Sequence, residues 1–230
     1  MTEATPAAFY PPALEGCRAC ARLAEHREAV ARRKRRAYAD QPYWARPVPG
    51  FGDPTAKLLL LGLAPGAHGS NRTGRMFTGD ASGDFLFPAL HRAGLATRPD
   101  SRARGDGQRL LGVWITAALR CAPPDNRPLR EEVVACRPWL EHDLARLPQL
   151  RAVLALGHIA HDAYLELLKA RGRRLVKARY PFAHGARHDP PGSLPMLDVY
   201  HVSQQNTATG RLTAAMFDAV LAEAKVAAGL

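Results

Sequence analysis

The run Lys57-Leu58-Leu59-Leu60-Leu61-Gly62-Leu63-Ala64-Pro65-Gly66-Ala67-His68-Gly69-Ser70-Asn71-Arg72-Thr73-Gly74-Arg75-Met76-Phe77-Thr78-Gly79-Asp80 changes character within its first third. Residues 57–61 form a short apolar block bounded by turn signals, the pattern of a buried strand. Glycines then recur at 62, 66, 69 and 74, mixed with Pro, Asn, Ser and Thr, and a helical pattern begins after Asp80. Glycine lets backbone approach a ligand closely and turn through positive φ. In an open α/β sheet, a glycine-rich loop leaving the C-terminal end of a strand is where ligands bind. The loop is neither a G-x-G-x-x-G fingerprint nor a P-loop, because no Gly-Lys-Ser/Thr closes it. Its length points to function, since structureless loops beyond about 12 residues are uncommon.

Working outward, three more apolar runs read as strands: 113–119, 152–156 and 196–202. Helical patterns separate them at 82–93, 131–144 and 158–169, and 210–227 reads as a final helix. Alternating strands and helices imply an α/β fold, a three-layer α/β/α sandwich on a four-stranded, mainly parallel sheet. Before it, a basic helix is expected over 21–38, either a solvated face or a phosphate-contacting one. Residues 1–15 are rich in Pro and Ala and read as loosely ordered. Residues 171–195 read as a long irregular segment carrying Arg173, Arg174, Lys177 and Arg179. At 230 residues the chain suits one domain over 1–230.

There are 32 basic against 21 acidic residues, a net charge of +11. Such an excess favours a polyanionic partner, although an Arg-rich composition alone produces the same balance. No apolar stretch reaches the length of a membrane span, and residues 1–10 lack the apolar core of a signal peptide. The protein is therefore expected in the cytoplasm, associated with the nucleoid if the partner is DNA, as a monomer and with no membrane contact.

The cysteines are four: Cys17 and Cys20 in a C-x-x-C pair, and Cys121 and Cys136. A C-x-x-C turn presents two thiolates to one metal. Four thiolates suit tetrahedral zinc or a [4Fe–4S] cluster equally, and spacing alone leaves both open. Disulfides do not fit a reducing compartment.

A second motif, His201-Val202-Ser203-Gln204-Gln205-Asn206-Thr207, follows the last apolar run. Together with GLAPGAHGSNRTGRMFTGD and the cysteine placement, it resembles the uracil-DNA glycosylase superfamily. The resemblance is strongest to family 5, the type B iron–sulfur enzymes, and runs from about Cys17 to Thr213. It implies a [4Fe–4S] cluster on Cys17, Cys20, Cys121 and Cys136. It also implies a DNA repair enzyme that hydrolyses the N-glycosidic bond of uracil, and of other deaminated bases such as hypoxanthine, in double-stranded DNA. The base must be flipped from the duplex for this, as glycosylases do.

Residue by residue, the resemblance places His201 beside the base carbonyl and residues 203–210 in the loop that enters the minor groove. Gln205 and Asn206 would contact phosphate or the widowed base there. Phe77 would stack on the flipped base, and the Gly66-Ala67 amides would face its carbonyl. Asp80 is the best-placed acid for the developing sugar cation, and it equally fits a helix N-cap. Asn126 is a candidate polar group near the water, and an ordinary turn Asn otherwise. Two departures from the wider superfamily stand out. No acid occurs at 66–68, and Ala117 falls where the related family 4 enzymes carry an Asn that reads uracil. Both match family 5 and imply broad base tolerance. A non-catalytic iron–sulfur nucleic-acid-binding protein is the alternative. A zinc deaminase lacks its His-x-Glu and Pro-Cys-x-x-Cys signatures here.

Overall fold

The four Leu residues of 58–61 alternate between two hydrophobic cores. Leu58 and Leu60 belong to one cluster, Leu59 and Leu61 to the other. A strand points successive side chains to opposite faces, so a run apolar at every position must be covered on both. The computed structural model, which describes residues 9–230, builds the fold around this strand. The strands are β1 (Phe51–Gly52), β2 (Leu58–Gly62), β3 (Val113–Ala117), β4 (Ala152–Leu156), β5 (Arg187–His188) and β6 (Met196–Val199). The sheet order is β1-β3-β2-β4-β6-β5. The central four strands are parallel, and Leu61 of β2 pairs with Thr116 on one side and Ala155 on the other.

The helices are α1 (Ala21–Arg33), α2 (Ser70–Thr73), α3 (Ala81–Arg92), α4 (Arg130–Arg146), α5 (His158–Ala170), α6 (Gln204–Ala208) and α7 (Ala214–Ala228). Helices α3 and α7 cover one face of the sheet through Leu86, Phe87, Leu90, Phe217 and Leu221. Helices α4 and α5 cover the other through Leu140, Tyr164, Leu165 and Leu168. Among the described residues, no helix is long and apolar enough to cross a membrane.

The sheet thus has six strands, not the four expected. The two additions, β1 and β5, are two-residue edges paired antiparallel to β3 and β6. Runs so short carry no periodicity, and proline-rich sequence flanks both. Two strands are also shorter than expected: β3 stops at Ala117 and β6 at Val199. The expected helix over 21–38 stops at Arg33, where Lys34 turns to φ 49°. A separate turn of 3-10 helix follows at Arg36–Tyr38. Of the expected loose segment, residues 1–8 lie outside the described residues.

The segment 171–195 both covers core and displays charge. Leu175, Tyr180 and Leu194 pack on the second cluster, while Arg173, Arg174, Lys177 and Arg179 are exposed. A buried trio pins it to β6. His161 donates from Nδ1 to Asp198 Oδ1 (2.9 Å), and its Nε2 meets the Tyr180 carbonyl (2.9 Å). His188 donates from Nε2 to Asp198 Oδ2 (3.1 Å). Asp198 is fully buried. Removing one member of a buried charged network strands the others, so Asp198→Ala is expected to lower the unfolding free energy by about 3 kcal/mol. Urea denaturation measures this; an unchanged midpoint contradicts it.

Candidate active site and four-cysteine cavity

Beyond β2 the chain folds back on itself through residues 62–80. Asn71, fully buried, organises the turn: its amide N–H bonds the Gly66 carbonyl (3.0 Å). Its side chain donates to the carbonyls of Ala67 (3.4 Å) and Arg27 (3.2 Å), tying the loop to α1. Arg72 spans the far end. It donates from Nε to the His68 carbonyl and from Nη2 to the Gly79 carbonyl, both at 2.7 Å. With these carbonyls turned inward, the N–H groups of Gly66 and Ala67 have no hydrogen-bond acceptor among the described residues.

The loop ends on Asp80. Its Oδ1 accepts from the amides of Ser82 and Gly83, both at 3.1 Å, capping α3. Its Oδ2 lies against Gly66 and Gly69, where added Cβ atoms would stand 2.7 and 1.7 Å away. Both readings of Asp80 therefore hold in geometry: one oxygen caps, the other faces the glycine turn. Burial pushes its carboxyl above the ordinary carboxylate value, against the pull of the two amides.

Phe77 carries its backbone at φ 50°, a conformation costly for a bulky residue. Two glycines make room for it. A Cβ on Gly83 would sit 2.1 Å from the Phe77 carbonyl oxygen, and one on Gly62 2.8 Å from its ring. The ring therefore lies over the C-terminal end of β2. Beside it, Gly62 pairs with Ala117 at the end of β3.

His201 follows β6 by two residues and rests on Gly157, the residue after β4 (φ 98°). Burial, with His158 nearby, lowers its imidazole below the ordinary value. Strands β2 and β4 are adjacent and parallel, about 4.8 Å apart. Phe77 on the end of β2 and His201 on the end of β4 thus share one edge of the sheet.

The other expected residues are placed differently. Asn206 donates its side-chain amide to the His201 carbonyl (2.8 Å), so it braces the histidine backbone. Gln205 is exposed on α6, a short helix where the sequence reads as loop. Asn126 is exposed at φ 57°, and no hydrogen bond links it to Asp80 or His201. Sequence reading passed over Asn71, Arg72 and Asp198. Asn71 and Arg72 read as ordinary members of a polar loop and Asp198 as an interruption of an apolar run, and Arg27 and His161, which meet Asn71 and Asp198, lie far along the chain.

On the face towards α1, Cys17, Cys20, Cys121 and Cys136 all line one cavity. All four are free thiols. Arg120 donates its backbone N–H to Cys136 Sγ (3.3 Å), and Arg27 donates from Nη1 to Cys121 Sγ (2.8 Å). Burial raises the thiols of Cys20 and Cys121 and pushes Cys136 up to about 12. Metal binding reverses that, since it requires thiolates. Four cysteines lining one cavity, with N–H donors at two of the sulfurs, are a donor set that suits a thiolate-bound group larger than a single ion.

Comparison with known proteins agrees with this geometry. Residues 49–225 match the uracil DNA glycosylase superfamily, to which the chain belongs. Within it, the chain is 58% identical over 217 residues to a type-5 uracil-DNA glycosylase of Thermus thermophilus, covering 94% of this chain and 96% of that protein. It is 51% identical over 215 residues to the type-5 enzyme of Mycobacterium leprae (93% and 92% covered). It is 44% identical over 216 residues to that of Pyrobaculum aerophilum (94% and 91% covered).

The packing of Asp80 on glycine is directly testable. Gly69→Ala should displace the carboxylate and cost at least the ~1 kcal/mol of a helix cap. Gly16→Ala, with nothing within 4 Å, should leave stability unchanged. Equal thermal midpoints for the two variants contradict the contact.

Proposed function

We propose that the protein is a uracil-DNA glycosylase of the type-5 kind. It hydrolyses the N-glycosidic bond of uracil, and of other deaminated bases such as hypoxanthine, in double-stranded DNA. The observation that carries this is the shared sheet edge: Phe77, the free Gly66 and Ala67 amides, Asp80 and His201 converge at the C-terminal ends of adjacent strands.

The flipped base stacks on Phe77. As the bond breaks, negative charge grows on the base and positive charge on the sugar. The Gly66 and Ala67 amides and the neutral His201 imidazole donate to the base carbonyl. The Oδ2 oxygen of Asp80, held by its cap, stabilises the sugar cation and orients the water that captures it. Gln205, exposed on α6, reaches the DNA. Asn126 is positioned for the sugar or the water only when DNA draws its loop inward. Ala117 puts an apolar wall where a polar discriminator would stand, which supports a site tolerant of several bases. Neither motif carries a Lys for a Schiff base, so the enzyme leaves an abasic site without cutting the strand.

Cys17, Cys20, Cys121 and Cys136 hold a [4Fe–4S] cluster. Through these cysteines the cluster would tie α1 to the segment after β3, and it would do no bond-breaking. Cys121 and Cys136 bracket the loop that carries Asn126, and α1 receives Asn71. The clamp thereby steadies two walls of the site.

Single-turnover release of base from duplexes containing uracil or hypoxanthine tests the assignment. Wild type should release both. Asp80→Asn and His201→Asn should each be slower by about a hundredfold or more; wild-type rates in both would remove their roles. The pH profile follows from the two shifts. Asp80 must be ionised and His201 neutral. Burial raises Asp80 and lowers His201 from their ordinary values, and each active form is lost as pH falls through that group's own titration. The rate should fall along an acid limb as Asp80 and His201 take up protons. A rate that rises on acidification contradicts the assignment.

A further inference from the structure

We propose that Arg27 is the buried counter-charge of the metal centre and sets its reduction potential. The proposal rests on the reading that the four cysteines hold an iron–sulfur cluster.

Arg27 is only 3% exposed. Its Nη1 donates to Cys121 Sγ (2.8 Å), its Nη2 to the Cys17 carbonyl (3.2 Å), and its buried Nε has no partner. A guanidinium keeps its charge inside proteins. A buried charge is stable only against an opposite one. The carboxylate recorded near it, Glu28, stands 3.8 Å away, is 31% exposed and is shared with Arg18.

The second arginine on the cavity shows the contrast. Arg120 is equally buried, but Asp143, itself fully buried, meets its charge directly. Glu132, nearby on α4, is taken by Arg22. The remaining positive charge at the cavity wall is therefore that of Arg27, and its donors point at ligand sulfur and at the backbone of a ligand cysteine.

Four thiolates around an iron–sulfur core leave a net negative centre. One electron added from an electrode makes it more negative and breaks no bond. A fixed cation in contact with a ligand sulfur favours the reduced form and raises the potential. The same N–H···S bond withdraws charge from Cys121 and protects the centre from oxidative loss.

The test compares wild type, Arg27→Gln and Arg27→Lys, purified anaerobically. Iron, acid-labile sulfide and absorbance near 400 nm report the cluster, and film voltammetry reports its midpoint. In Arg27→Gln the midpoint should move to more negative potential and iron should be lost faster in air. Arg27→Lys should restore most of both. A cluster-loaded Gln variant at wild-type potential overturns the proposal while leaving the cluster reading intact. Wild-type protein without iron overturns both. If the Gln variant holds no iron, the Lys variant decides. A loaded cluster near wild-type potential supports a charge role. Equal loss of iron shows that only side-chain shape matters and overturns it.

Discussion

No side chain fits between Asp80 and the turn that faces it. One oxygen of the carboxylate is fixed by two α3 amides, and the other would collide with a Cβ at Gly66 or Gly69. That exclusion explains the glycine spacing better than any general need for flexibility. The turn has to close on an acid, and within it the Gly66 and Ala67 amides have no acceptor among the described residues. The same geometry withdraws Asp80 from water, which raises its carboxyl. Three further glycines serve this end of the sheet. Gly62 and Gly83 admit Phe77 in its strained conformation, and Gly157 admits His201.

The site is held from outside as well as from within. Asn71 ties the turn to the carbonyl of Arg27 on α1, and Arg27 reaches the cysteine cavity from the same residue. On the opposite flank, Asp198 joins β6 to α5 and β5 three residues before His201. Each flank therefore uses a buried polar network where an apolar contact would suffice for stability alone. Such networks fix direction as well as distance, and a site that must present donors to one carbonyl needs both.

Much of this was legible in the chain itself. The Leu58–Leu61 block had to be a buried strand, and the flip in composition at Gly62 marked where that strand ends. Asp80 before Ala81-Ser82-Gly83 announced its cap. What sequence could not show depended on contacts between distant residues. The edge strands β1 and β5 exist only by pairing with β3 and β6. Asn206 looked like a DNA contact because nothing local reveals that its amide is spent on His201. Arg27 looked like one more cation on a basic helix. Only its burial against Cys121 separates it from Arg32 and Arg33.

The central claim is that an extruded base lies on Phe77 beside His201. It is tested most directly with 2-aminopurine placed next to uracil in a duplex, mixed with Asp80→Asn so that cleavage is slow. The account predicts a fluorescence rise on binding, as the neighbouring base leaves the stack, and loss of that rise when Phe77→Ala is added. Binding with no fluorescence change, or a rise indifferent to Phe77, would contradict it.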